Sequence, residues 1–236
     1  MAINVATLKT RSLTALIFVL VMFAGLFING YTFSALFIIV MLGCLYEFVK
    51  LMKKISPSGY GYYLPLGLLY IVLPILMLLE LGLEMKIETA GPTPDNDVFY
   101  QPLFPCAIIF SIWINDTMAY IVGSFIGKTP FSPISPKKTW EGTIGGAILC
   151  VALIGLLGSL IPPAKSVPLK HWLVIAATAA VFGTLGDLLE SKLKRVAGVK
   201  DSGTFMPGHG GFLDRFDSLL IATPFVWAYI HFVMIR

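Results

Sequence analysis

Apolar residues in this chain gather into seven long runs, roughly 13–29, 32–49, 62–79, 98–115, 143–161, 170–189 and 218–235, with short polar stretches between them. Runs of about 18 or more apolar residues predict transmembrane helices. A further stretch, 116–127, is apolar enough for a short or broken extra helix. The predicted fold class is all-α: a polytopic membrane helix bundle of about seven or eight transmembrane helices. With no convincing internal repeat, residues 1–236 read as a single integral membrane domain.

Composition strengthens this picture. Of 236 residues, 57% are hydrophobic and 13% charged, and mean hydropathy is +0.84. Soluble domains carry about 25% charged residues. Lys9 and Arg11 before the first run resemble a signal-peptide start, but no small-residue cleavage site follows, so a retained first helix is expected. Cys44, Cys106 and Cys150 lie in apolar segments without a CxxC pair and read as small buried hydrophobes.

Charge placement orients the bundle. With the N-terminus inside and seven spans threaded, Lys9, Arg11, Lys50, Lys53, Lys54, Lys128, Lys137, Lys138, Lys192, Lys194, Arg195, Lys200 and Arg215 fall inside. That is 13 of the 17 basic residues, as the positive-inside rule requires. The outer loop 80–97 is acidic and carries Gly91, Pro92 and Pro94, so it reads as irregular and solvated.

The polar residues that basic loops do not need collect on the same inner face. In "GTLGDLLESKLKR", Asp187 sits near the inner end of a helix, where an ionisable group is costly and needs a partner or a role. A continuing helix puts Ser191, Lys194 and Arg195 on its face. In "FLDRFDS", Asp214, Asp217 and Ser218 open the last helix. One Asp there would suit a cap, but two flanking Arg215 exceed capping. Hard cations such as Mg²⁺ take carboxylate oxygens and share their shell with substrate phosphate. Asp187 and Asp214, from different helices, are therefore the candidate metal pair.

In "PGHGG", Gly208, Gly210 and Gly211 surround His209. Bunched backbone N–H groups can cradle phosphate, although alone such a stretch is usually a turn. Lys200, Asp201 and Arg215 nearby favour an anion site. Asn115 and Asp116 interrupt an apolar run, and Gly123 and Gly127 form a small-xxx-small pair that suits tight helix packing. "GSFIGKT" is one residue short of a P-loop and lacks a preceding strand, so that reading is rejected. After a stiff Ser-Pro-rich turn, Lys137 and Lys138 present cations beside Glu141. Carboxylates for a divalent ion and cations for phosphates are what phosphoryl and nucleotidyl transfer need. The apolar body points to a lipid as one substrate.

The stretch "SKLKRVAGVKDSGTFMPGHGGFLDRFDS" closely resembles the signature of the phosphatidate cytidylyltransferase, or CDP-diacylglycerol synthase, family. Ser191, Lys194, Arg195, Lys200, Asp201, Pro207, His209, Gly210, Gly211, Asp214, Arg215 and Asp217 meet its fixed positions. "NDTMAYIVGSFIGK" and "SPKKTWEG" are similar to two upstream motifs of that family. The resemblance implies that CTP and phosphatidate give CDP-diacylglycerol and pyrophosphate with Mg²⁺, K⁺ being a second candidate ion. It also implies a homodimer in a bacterial-type inner membrane, multi-pass, with the active site facing the cytoplasm and no nucleic acid as partner.

On that resemblance residues 98–236 hold the catalytic helices and cytoplasmic loops, and 1–97 the less specific N-terminal helices. Lys200, Asp201, His209, Arg215 and Asp217 are the expected catalytic residues. Lys137, Lys138, Ser191, Lys194, Arg195, Gly210 and Gly211 are expected at the phosphates, and Asp187 and Asp214 at the metal. Two other readings stay open. One is another CTP-dependent lipid enzyme, of the CDP-archaeol synthase or polyprenol kinase type. The other is an anion or metal transporter, which intramembrane Asp116 and Asp187 would suit but a one-faced polar cluster would not.

Overall fold

In hydrocarbon a backbone N–H or C=O has no water partner, so each apolar run closes its hydrogen bonds within a helix. The computed structural model describes residues 5–83, 100–206, 208 and 210–234. Among them are seven helices: α1 (Val5–Phe27), α2 (Gly30–Ile55), α3 (Tyr60–Leu83), α4 (Leu103–Ile126), α5 (Trp140–Leu160), α6 (Leu169–Val196) and α7 (Leu213–Met234). Six are long and apolar enough to cross a membrane, and α1 adds the shorter apolar stretch Ser12–Phe27. The chain is an all-α polytopic membrane bundle.

Local chemistry sets the breaks. Asn29 starts α2 with a reciprocal cap: its side chain accepts from Thr32 N at 2.9 Å, and its own N–H donates to Thr32 Oγ1 at 3.2 Å. α3 opens with a 3-10 turn over Tyr60–Tyr63, and Pro65 stands in the first turn of the α-helical part that follows, where its missing N–H costs nothing. Pro74 lies further along and cannot donate to the turn before it, and the helix widens into a π turn over Leu68–Val72.

The region 116–127 is not a separate or broken helix. Asn115 and Asp116 are continuous with the preceding run in α4, which ends only at Gly127. Their side chains leave the backbone ladder untouched, so two polar residues do not interrupt it. The turn expected after it folds into a small antiparallel hairpin, β1 (Pro130–Ser132) and β2 (Ser135–Thr139), pairing Pro130 with Thr139 and Ser132 with Ser135. Thr139 then caps α5 by accepting from Gly142 N. Glu141 accepts from Lys128 N, Thr129 N and Thr129 Oγ1, tying the hairpin's base to the helix start.

Small residues decide which helices touch. A Cβ on Gly142 would lie 2.7 Å from Ala119 O, and one on Gly146 2.7 Å from Ala119 N. So α4 and α5 meet backbone to backbone, with Gly123 at the same seam and Gly127 against Thr139. The same holds for α6 and α7, where a Cβ on Gly186 would lie 2.5 Å from Asp217 O. Phe33, Phe37, Phe48 and Phe104 fill the interior, while Leu13, Leu16, Ile148 and Leu156 face outward as a lipid-contacting helix surface requires.

The two ends of the bundle differ in chemistry. At one end Tyr100 Oη donates to Leu26 O at 2.6 Å, and Glu80 pairs with His231 Nε2 at 2.8 Å and accepts from Trp227 Nε1. Glu84, Glu88, Asp95 and Asp97 of the expected acidic loop lie outside the described residues. At the other end gather the hairpin, the C-termini of α2, α4 and α6 and the N-terminus of α7.

Candidate active site

The close approach at Gly186 sets the site. It brings Asp187 and Glu190 of α6 beside Asp217 of α7, and their ligand atoms lie within 4.8 Å of one another. Glu190 is fully buried, Asp217 nearly so, and Asp187 partly exposed. Three carboxylates this close repel one another when ionised, and two lysines sit with them. Lys194 Nζ lies 2.5 Å from Glu190 Oε2, and Lys138 of the hairpin forms an ion pair with Asp187. Ser218 N donates to Asp217 Oδ1 at 2.6 Å. Even so, Glu190 Oε1 and Asn115 Oδ1 are buried with no hydrogen-bond partner. An all-oxygen acidic group with unpartnered oxygens has the donor chemistry that a hard divalent cation takes. These residues could hold one.

Beside the acids opens a cavity of about 750 Å³. Asp116, Asp187, Asp214 and Asp217 line it, as do Lys137, Lys138 and Arg215. Phe18, Ile112 and Trp113 form an apolar wall. Elements distant in sequence thus bring four of the expected acids and three of the expected cations to one chamber.

Several expected residues are placed differently. Asp214 lines the cavity, but both of its oxygens are committed to protein donors. Lys194 Nζ donates to Oδ1 at 2.6 Å, and Ser202 N, Ser202 Oγ and Gly211 N donate to Oδ2 at 2.7–2.9 Å. The acid grouped with Asp187 is therefore Asp217, together with Glu190, and not Asp214. Gly211 does not cradle phosphate through its N–H, because that group is spent on Asp214. Gly210, at φ +86°, brings the turn so close that a Cβ would lie 2.5 Å from Asp214 Oδ2. The anion these glycines approach is the protein's own carboxylate.

Lys194 bridges two acids rather than facing the cavity. Asn115 is buried against Thr184, its Nδ2 donating to Oγ1 at 3.4 Å. Ser191 and Arg195 do not line the chamber, and Arg195 Nη1 reaches Val199 O at 3.4 Å. Lys200 and Asp201 line a second, smaller cavity. His209 and Pro207 lie outside the described residues.

Glu47 of α2 was not anticipated, yet it organises the loop. It is 4% exposed, and it accepts from Ser202 Oγ at 2.7 Å, Phe212 N at 3.0 Å and Leu213 N at 2.9 Å. It thereby satisfies N–H groups at the start of α7 that have no helical partner. A Cβ on Gly203 or Gly211 would strike its carboxylate. As the lone acid in a long apolar helix, Glu47 carried the same signal that marked Asp187. Glu190 was legible too, three residues after Asp187 on one helix face.

Comparison with known proteins places this arrangement. The cytidylyltransferase family model matches residues 95–233. A Bacillus subtilis protein named phosphatidate cytidylyltransferase is 45% identical over 127 residues, 52% of this chain and 45% of its own length. One of the same name from Synechocystis is 37% identical over 183 residues, 72% of this chain and 59% of that protein. Another, from Thermotoga maritima, is 42% identical over 121 residues, 50% of this chain and 45% of the relative. The chain matches about half the length of these relatives.

Proposed function

The chain belongs to the cytidylyltransferase family, and from that premise we propose that it joins CTP to phosphatidate, giving CDP-diacylglycerol and pyrophosphate. The observation that carries the reading is the single chamber in which Lys137, Lys138 and Arg215 face Asp187 and Asp217 beside an apolar wall. A nucleotide alone would not call for that wall, and a lipid tail alone would not call for the ions.

In this reading an oxygen of the lipid phosphate attacks the α-phosphorus of CTP in line. A new P–O bond forms, the α–β bridge breaks, and pyrophosphate leaves with the electron pair. A phosphate monoester has its second pKa at about 6, so it is largely a dianion near neutral pH and needs no strong base. Lys137, Lys138 and Arg215 neutralise the triphosphate and the lipid phosphate and hold them for attack. Asp187, Glu190 and Asp217 would hold a divalent cation, Mg²⁺, whose charge would offset that of the phosphates and of the leaving pyrophosphate. K⁺ is a proposed second ion without an assigned site. Lys194 and Asp214 act as positioning residues, because their contacts are with each other, Glu190 and the loop. Phe18, Ile112 and Trp113 face the acyl chains.

We further propose that the protein works as a homodimer in the inner membrane, with the hairpin and signature loop on the cytoplasmic side. The basic residues at that end support the orientation.

The test is purified protein in detergent with phosphatidate, α-labelled CTP and Mg²⁺. The expected result is a labelled lipid and pyrophosphate in equal amounts, both lost with EDTA. Product with a different lipid acceptor only would replace phosphatidate in the proposal. No CTP-dependent lipid product with any acceptor would overturn it and turn attention to ion uptake in liposomes.

A further inference from the structure

The signature loop has two sides. On one, Asp214 and Arg215 face the reaction chamber. On the other, residues Lys200–Thr204 line a separate cavity of about 240 Å³, whose opposite wall is Lys50, Leu51 and Lys54 of α2. Lys50 and Lys54 are four residues apart, so they project from one helix face. Lys200 faces them across the cavity. Among the described residues none of these three ammonium groups has an ion-pair partner, and Asp201 is the one carboxylate in the lining. The concavity therefore holds a net excess of positive charge.

The positive-inside rule explains lysines near this membrane face, but not their convergence on one cavity. Lys53, one residue from Lys54, shows the contrast, because its ammonium lies 4.9 Å above the Tyr60 ring instead. The cavity also has a built floor. Ser202 is 4% exposed, and its hydroxyl sits between Glu47 Oε2 at 2.7 Å and Asp214 Oδ2 at 2.9 Å. Glu47 lies one turn before Lys50 on α2. One lining residue of this cavity, Ser202, is thus hydrogen-bonded to the carboxylate that faces the other one.

We propose that this second cavity is an anion site that takes a phosphate group, supplied by a phospholipid headgroup of the facing leaflet or by a free phosphate in solution. Lys50, Lys54 and Lys200 donate to its oxygens. The occupant fixes residues 200–204 and, through Ser202, holds Asp214 and the start of α7 in place. Only this last consequence rests on the proposed function; the binding itself does not.

The experiment uses delipidated protein in a neutral detergent, with no CTP and no lipid acceptor, so no outcome depends on turnover. Short-chain phosphatidylglycerol and inorganic phosphate are titrated separately by calorimetry. The expected result is saturable binding of at least one probe, weakened about tenfold or more in Lys50→Gln/Lys54→Gln. The control Lys53→Gln/Lys192→Gln removes equal charge from the same face and should bind within about twofold of the unaltered protein. Lys200→Gln, on the opposite wall, should reproduce the loss and serves as second variant if the pair fails to fold. Binding of the lipid alone identifies the headgroup as the source, and binding of phosphate identifies a soluble one. No binding of either probe, equal binding in the Lys50/Lys54 variant, or an equal loss in the control would overturn the proposal.

Discussion

At the scale of single residues, two kinds of carboxylate meet near the signature loop. Asp214 and Glu47 are saturated with protein donors, whereas Asp187, Glu190 and Asp217 are crowded together with unpartnered oxygen left over. Their substitutions should separate cleanly. Glu47→Ala leaves Phe212 N and Leu213 N without an acceptor. A buried donor left unsatisfied costs about 1–3 kcal/mol, so a marked fall in melting temperature in detergent is expected, together with lost turnover. Asp217→Asn relieves the crowding of three carboxyl groups at nearly constant side-chain size and should melt no lower than the parent. Its turnover should nevertheless fall more than about a hundredfold, beyond the loss typical of an outer-shell partner. Retained turnover in Asp217→Asn would move the ion elsewhere, and an unchanged melting curve in Glu47→Ala would remove its loop-holding role.

At the scale of elements, the site depends on how near two helices can come. A Cβ at Gly186 would sit 2.5 Å from the Asp217 carbonyl oxygen, and backbone cannot swing aside as a side-chain tip can. Gly186→Ala should push α6 from α7 at a cost of about 1–3 kcal/mol and spread the three acids apart. Gly183, one turn earlier, has 3.4 Å of room beside Ile112, an ordinary contact distance. Gly183→Ala should keep most of the turnover that Gly186→Ala loses, measured at saturating CTP. The hairpin shows the same dependence on placement. Its strands are short, but Thr139 and Glu141 fasten it to α5, and this holds Lys138 on Asp187.

At the scale of the whole molecule, the polar machinery lies at one end of an apolar bundle, and the proposed orientation puts that end inside. Ser135 of the hairpin and Lys165 between α5 and α6 fall on opposite sides of it. The native cysteines are buried, so they leave a low labelling background. In intact cells, Lys165→Cys should react with an impermeant maleimide, while Ser135→Cys should react only after the membrane is opened. The reverse pattern would invert the orientation and the proposed access of CTP.

Much of this was legible in the sequence. Spans follow from the length of apolar runs, and the acids and cations stood out because hydrocarbon tolerates so few of them. Periodicity along one helix could also have found Glu190. Pairing between helices was another matter. Whether Asp187 meets Asp214 or Asp217, and whether Lys200 faces the chamber or turns away from it, depends on helix rotation and on separations of a few ångströms. Those are set by Gly186 against a carbonyl oxygen and by Glu47 reaching a loop 155 residues further along the chain. By itself the sequence determined which residues must leave the lipid. Only the packed structure decided which of them meet, because contact between distant segments is a property of their shared packing and not of either segment alone.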